Sequence, residues 1–151
     1  MNGMEIDWNS AWKSARAGHS RIDDSSFWDK RAPAFARHVK ETHYERHFLE
    51  MMQPDPSWSV LDVGCGAGTL ALPLARRIAS VTALDFSRVM LDLLQQSCEE
   101  EGITNISTIQ GSWEDDWERL GIGTYDAVIA SRSMVARDLR DAVNKLNRAA
   151  R

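Results

Sequence analysis

Apolar residues follow two different patterns on either side of a pair of prolines. Between Phe27 and Met52 they recur at helical intervals, which predicts one or two amphipathic helices, the second beginning near Pro33. Pro54 and Pro56 then end any helix, because proline lacks an amide donor and restricts the residue before it. We therefore expect an N-terminal helical extension over residues 1–53 and a second part over residues 54–151.

After the prolines, short apolar runs alternate with helical patterns. The predicted strands cover residues 58–63, 80–85, 105–110 and 125–130, and the predicted helices cover residues 69–78, 87–101, 113–120 and 135–151. Strands that alternate with helices indicate a parallel sheet with right-handed crossovers and helices on both faces. The predicted fold class is therefore α/β, a doubly wound parallel sheet in three layers.

Composition narrows the class of protein. The chain has 151 residues and a formal net charge of −4, which fits one domain, or the larger part of one, and argues against a generally basic nucleic-acid binder. Cys65 and Cys98 are too few for a disulfide framework and lack the spacing of a zinc site. No signal layout begins the chain, and no apolar run approaches the roughly 18 residues that span a bilayer. These features predict a soluble, cytoplasmic protein without a membrane partner.

A cluster of glycines follows the first predicted strand. The run VLDVGCGAG extends from Val60 to Gly68, where a strand turns into a helix. Glycine is needed there because the backbone must pass close to a ligand, and the helix that follows offers unpaired amides. Asp62 lies two residues before Gly64, and a carboxylate there suits a ligand with an ammonium and a sulfonium better than a pyrophosphate. Cys65 is interpreted as a small residue that fits the turn.

A second acid, Asp85, ends the next predicted strand. The carboxyl ends of adjacent parallel strands meet at one crevice, so we expect Asp85 near the glycine turn, placed to accept hydrogen bonds from two ribose hydroxyls. Phe86, or Met90 one turn later, is placed to lie against a purine face. The loop after the third predicted strand, which includes Ser112 and Trp113, is placed to close the far side of that pocket.

The segments VLDVGCGAG, ALD, IQGSWED and YDAVIAS, in this order between Trp58 and Ser133, together resemble the class I S-adenosylmethionine-dependent methyltransferases. The resemblance implies a Rossmann-like fold that binds S-adenosylmethionine and releases S-adenosylhomocysteine after methyl transfer. It also implies that the first motif surrounds the amino-acid end of the cofactor. The motif residues implied to bind there are Asp62, Gly64, Cys65, Gly66 and Gly68.

The same resemblance assigns the rest of the cofactor site. It implies that Asp85 holds the ribose, that Phe86 flanks the adenine, and that Ser112 and Trp113 bound the adenine edge. Ser131 matches the end of the fourth strand, where relatives place residues near the methyl group and the substrate. The segment FWDKRA, residues 27–32, is similar to the N-terminal lid helix of small bacterial members.

Two features depart from the family pattern. Many relatives carry an acid where Ser112 stands, bound to the adenine amino group. The family sheet has seven strands, whereas this chain offers four, and the sequence stops inside a helical pattern. We therefore expect an N-terminal fragment, or a chain whose later strands are supplied elsewhere, with the cofactor half present.

The four histidines all lie in the N-terminal extension and are His19, His38, His43 and His47. They are candidates for a general base only if the extension folds over the cofactor, so no catalytic residue is assigned. His43 and His47 have the spacing of metal ligands on a helix, but Tyr44 stands where zinc proteases carry glutamate. No metal site is predicted.

The predicted function is S-adenosylmethionine-dependent methyl transfer to a small-molecule acceptor, which an acidic chain favours over nucleic acid. Two alternatives stay open. A nicotinamide-dependent oxidoreductase uses the same strand-turn-helix unit, although the GxGxG spacing and Asp62 disfavour it. A non-catalytic cofactor-binding or interaction module is compatible with the short chain. The oligomeric state is also open, a homodimer included.

Overall fold

The computed structural model describes residues 5–18, 24–39 and 43–151, without the side chains of residues 36–39. The helices in these ranges are α1 (Trp8–Arg16), α2 (Ser25–Val39), α3 (Tyr44–Met52), α4 (Ala71–Ala75), α5 (Arg88–Glu101) and α6 (Leu139–Ala149). The strands are β1 (Ser59–Val63), β2 (Ser80–Asp85), β3 (Ile106–Gln110) and β4 (Ala127–Ile129).

The four strands form one parallel sheet in the order β3-β2-β1-β4. The chain moves outward from β1 through β2 to β3, and then returns to place β4 on the other side of β1. This reversal creates a crevice at the carboxyl ends of β1 and β4, because the connections on either side leave in opposite directions. The predicted doubly wound, Rossmann-like sheet is confirmed.

Alternate residues of the strands bury two hydrophobic clusters, one on each face of the sheet. The first cluster joins α4, α5 and Leu49 of α3 to Val60 and Val81. The second joins Leu61 and Leu84 to α6 and to the loop after β3. Successive side chains of a strand point to opposite faces, so two neighbours such as Val60 and Leu61 serve different layers. The result is the predicted three-layer arrangement.

The N-terminal helices pack against the same body. In α1, the Asn9 side chain accepts hydrogen bonds from the backbone amides of Leu139 at 2.9 Å and Arg140 at 3.2 Å, and so caps α6. Trp12 Nε1 donates to the carbonyl of Ala136 at 2.7 Å. Helix α2 packs on α5. None of the helices in the described ranges combines the length and the apolar character that a bilayer-spanning helix needs.

Several predicted helices differ from the structure. Residues 113–120 form successive turns instead of the predicted helix, because the side chains of Trp113 and Trp117 are both buried in the second cluster. Helix α2 continues through Pro33, with Ala32 fully buried, so no new helix begins at the proline. Helix α6 begins at Leu139 instead of residue 135, because Asp138 caps it. Helix α1 lies within the predicted helical extension, but the sequence pattern does not predict its bounds.

Candidate active site

A cavity of about 650 Å³ opens at the carboxyl ends of the strands. Its floor comes from the turn after β1, the end of β2 and the loops that follow β3 and β4. Its other walls come from α2 and α3. Of the ten residues predicted for the site, nine line this cavity, and they are Asp62, Gly64, Cys65, Gly66, Asp85, Phe86, Ser112, Trp113 and Ser131.

The glycine turn holds its shape through backbone contacts. Gly64 and Gly66 have φ angles of 71° and 55°, a region that favours glycine. A side chain at Gly64 would meet Ser133, whose Oγ lies 2.9 Å from the ideal Cβ position. At Gly66 the nearest atom to such a Cβ is 3.7 Å away, in the Phe35 ring. The turn is thus packed tightly behind Gly64 and open to the cavity at Gly66.

Gly68, the tenth predicted residue, does not line the cavity. Its φ angle is 97°, and a Cβ there would lie 3.0 Å from Leu72 Cγ. It allows the turn to pack closely against the following helices, which is a structural role.

Asp62 is buried at the floor of the cavity, with 3% of its surface exposed. Its Oδ2 atom has no hydrogen-bond partner among the described residues. Burial, followed by the charge of Asp85, raises the pKa of Asp62 to about 7. A buried carboxylate oxygen without a donor is costly for the folded chain, so this atom is available to a ligand that carries a donor or a positive charge.

Asp85 lies beside Asp62 and is held in place by two backbone amides. Its Oδ2 accepts from the amide of Gly66 at 2.8 Å, and its Oδ1 accepts from the amide of Ser87 at 2.8 Å. Burial raises the pKa of Asp85, and these hydrogen bonds oppose that rise. Each carboxylate oxygen has two acceptor positions, so both retain one for a ligand.

Cys65 and Ser112 are placed by their own loops. The Cys65 thiol is buried, and burial raises its pKa well above the usual value, so it stays protonated and unreactive. Ser112 donates through its amide to Asp115 Oδ2 at 2.7 Å, and its Oγ accepts from the amide of Glu114. Trp113 is buried and donates through Nε1 to the carbonyl of Ser133 at 2.8 Å, which links the loops after β3 and β4.

The chain after β4 meets α3 at the mouth of the cavity. Ser131 Oγ forms a hydrogen bond with the Tyr44 hydroxyl. The guanidinium of Arg132 lies over the Tyr44 ring, 4.3 Å from its centre. Ser133 Oγ donates to the carbonyl of Val63 at 2.5 Å and so ties the same loop to β1.

The sequence did not identify the aromatic wall of the cavity. Trp28, Phe35 and Tyr44 line it from α2 and α3, and the rings of Trp28 and Phe35 meet edge to face at 6.2 Å. Helical spacing alone does not separate a cavity wall from a core, so the sequence does not assign these aromatic residues to the cavity. Asp29 of the same segment accepts a hydrogen bond from Ser87 Oγ, which fastens α2 to the start of α5.

The candidate bases fall outside this arrangement. His43 and His47 are exposed and do not line the cavity. His19 and the side chain of His38 lie outside the described residues.

Comparison with known proteins identifies the family of the chain. Residues 60–151 match a family described as a methyltransferase domain. The chain belongs to this family of class I S-adenosylmethionine-dependent methyltransferases. A solved coclaurine N-methyltransferase, bound to N-methylheliamine and S-adenosylhomocysteine, has the same fold. It superposes with a TM-score of 0.64 and 20% sequence identity, over 72% of this chain and 32% of that one.

Three curated relatives match parts of this chain. An uncharacterised protein of Haemophilus influenzae is 40% identical over 121 residues, which is 79% of this chain and 44% of the relative. A probable ribosomal RNA small subunit methyltransferase A of Methanosphaera stadtmanae is 32% identical over 55% of this chain and 29% of its own. A ubiquinone biosynthesis O-methyltransferase of Vibrio parahaemolyticus is 42% identical over 46% of this chain and 28% of its own. The chain thus spans less than half the length of each of these relatives.

Proposed function

We propose that the cavity binds S-adenosylmethionine and that the protein transfers the methyl group to a small-molecule acceptor. The observation that carries this proposal is the unpaired Oδ2 atom of Asp62, buried in the cavity beside a second carboxylate, Asp85. Two buried acids repel each other and any anion, so they favour a cationic ligand. A nicotinamide dinucleotide brings a pyrophosphate to this turn, which the same acids oppose.

Each end of the cofactor has a matching group in the cavity. Asp62 is assigned to the ammonium, and the free acceptor positions of Asp85 are assigned to the ribose hydroxyls. Phe86 is assigned to the adenine face, and Ser112 with Trp113 to the adenine edge. Gly66 is assigned to the approach of the ligand, because the nearest atom to a Cβ at this position is 3.7 Å away and leaves space. Ser131 is assigned to the region where the methyl group meets the acceptor.

The chemistry requires little from side chains beyond placement. Bound S-adenosylmethionine supplies an electrophilic methyl group, and an acceptor nucleophile displaces S-adenosylhomocysteine from it. The residues of this chain hold the two reactants in line, and the aromatic wall of Trp28, Phe35 and Tyr44 excludes water from them. No side chain in the described cavity is assigned as a base.

The acceptor class is the finer part of the proposal. The names of the relatives point to both ribosomal RNA and small molecules. A net charge of −4 and a cavity lined in part by aromatic side chains favour a small molecule.

Calorimetry with S-adenosylhomocysteine tests the cofactor assignment. We expect the protein to bind it, to bind NADH far more weakly, and to lose at least about tenfold in affinity when Asp85 is replaced by alanine. Asp92→Ala removes an exposed carboxylate of α5 that pairs with Arg88, and is expected to leave the affinity unchanged. Thermal unfolding of both variants shows whether they are folded. Equal affinity of Asp85→Ala and the wild type would contradict the ribose assignment.

Turnover separates the enzyme from a non-catalytic binding module. The release of S-adenosylhomocysteine is measured across a panel of small-molecule acceptors and a ribosomal RNA fragment. We expect turnover with small molecules only. Binding of the cofactor without turnover on any acceptor would favour the module.

A further inference from the structure

Charge is divided between the two sides of the cavity. The ends of β1 and β2 contribute the buried acids Asp62 and Asp85, whereas the chain after β4 contributes Arg132 and Arg137. Within the described part of the chain, neither arginine side chain forms an ion pair with a carboxylate. The acid side matches the ammonium and sulfonium of the proposed cofactor, whereas the two arginines on the β4 side carry the positive charge that attracts an anion.

Arg132 is held in an unusual backbone conformation. Its φ angle is 57°, which costs a residue with a side chain on the order of 1 kcal/mol and which glycine adopts freely. Its neighbours fix this geometry, because Ser131 is bonded to Tyr44 and Ser133 to the carbonyl of Val63. A non-glycine residue kept in this region, with its side chain lining a cavity, points to a function for that side chain.

The surroundings of Arg132 define the shape of the group it can bind. One face of its guanidinium is covered by the Tyr44 ring at 4.3 Å, so its in-plane N–H donors are the ones available to a ligand. Those donors match the two oxygens of a carboxylate. Trp28 and Phe35 line the same cavity and offer flat apolar surfaces to the rest of the molecule.

We propose that the acceptor is a small planar molecule with a carboxylate. Arg132 binds the carboxylate, and the ring of the acceptor packs against the aromatic wall of the cavity. This inference rests on the proposed function, since it names the substrate class of that site. Arg132 is then a specificity-determining residue. A polyanionic RNA is the competing ligand, because arginine and aromatic side chains also bind nucleotides.

The test compares charged and neutral molecules of the same shape. Protein saturated with S-adenosylhomocysteine is titrated with 4-hydroxybenzoate against 4-hydroxybenzamide, with 4-aminobenzoate against 4-aminobenzamide, and with a short single-stranded RNA. Binding of S-adenosylhomocysteine is measured first, and its absence contradicts the proposed function itself. We expect each carboxylate to bind at least about tenfold more tightly than its amide.

Variants assign the preference to Arg132. In Arg132→Gln the carboxylate and the amide are expected to bind equally, and Arg132→Lys, which keeps the charge without the fork, is expected to be intermediate. Arg132→Gly relieves the positive φ, so it should unfold at no lower temperature than the wild type and still lose the preference. The control Arg148→Gln removes an exposed arginine of α6 outside the cavity and should keep the preference.

Four results would overturn the proposal. The first is equal affinity of the wild type for a carboxylate and its amide, and the second is that the wild type binds neither molecule. The third is that Arg132→Gln still binds the carboxylate more tightly than the amide, and the fourth is that RNA binds more tightly than every carboxylate. A purely structural role of Arg132 would change stability in the Gln and Gly variants without changing the ratio of the two affinities.

Discussion

Replacing Asp62 by asparagine should stabilise the protein at neutral and alkaline pH. The folded chain raises the pKa of this carboxyl from 3.8 to about 7, mainly by burial. Between these two pH values the folded state therefore binds more protons than the unfolded state, and the free energy of unfolding falls as the pH rises. Asparagine has no proton to lose, so its variant lacks this loss of stability.

The size of the effect follows from the pKa. At a pH well above 7, the raised pKa of Asp62 lowers the free energy of unfolding of the wild type by about 4 kcal/mol. Part of this loss is already present at pH 5. The difference in the free energy of unfolding between Asp62→Asn and the wild type should therefore widen by about 2–3 kcal/mol from pH 5 to pH 8. Comparing the two pH values cancels the constant cost of burying an amide. Urea unfolding followed by circular dichroism at both pH values measures the gap.

The pH dependence of S-adenosylhomocysteine binding is a second test of the ionisation of Asp62. If the ligand ammonium meets Asp62, binding favours the ionised carboxyl and releases a proton at low pH. The affinity should then rise about tenfold from pH 6 to pH 8, and this dependence should vanish in Asp62→Asn. A gap in stability that stays constant from pH 5 to pH 8, together with a pH-independent affinity in the wild type, would refute the reasoning.

Two further substitutions test the packing around the site. Gly64→Ala should lower the free energy of unfolding by about 2 kcal/mol, because the φ of 71° and the nearby Ser133 side chain both oppose a Cβ at this position. Adding Ser133→Gly should recover part of that loss, as measured by urea unfolding, and the absence of any recovery would contradict the contact. Asn9→Ala removes the cap that α1 places on α6 and should cost about 1 kcal/mol, whereas Asn147→Ala, an exposed position on α6, should change stability by less than about 0.5 kcal/mol.

The residues at the ends of β1 and β2 could be placed in one crevice from the sequence because their signals are local. The glycine turn and Asp62 lie within a few residues of each other, and Asp85 comes at the end of the next strand. A parallel sheet brings consecutive strand ends together, so order along the chain implies proximity in space. The same reasoning located the crevice but could not show that Asp62 would be left without a partner.

The errors arose where distant contacts decide local structure. The helical pattern of residues 113–120 gave way to turns, because Trp113 and Trp117 both reach the second cluster. Trp117 Nε1 donates to the carbonyl of Ser112 at 3.1 Å, which holds the loop in that form. Pro33 did not begin a helix, since packing of the buried Ala32 carries α2 through it.

By itself, the sequence determined that an alternating α/β chain presents two acids and a glycine turn at neighbouring strand ends, because hydrophobic period and turn chemistry are properties of short segments. Only the tertiary structure decided what faces them. It folded α2 and α3 over the crevice and set Tyr44 against Ser131 and Arg132, which are 87 or more positions further along the chain. Contacts between such distant segments depend on how the layers pack, and no local pattern encodes that packing.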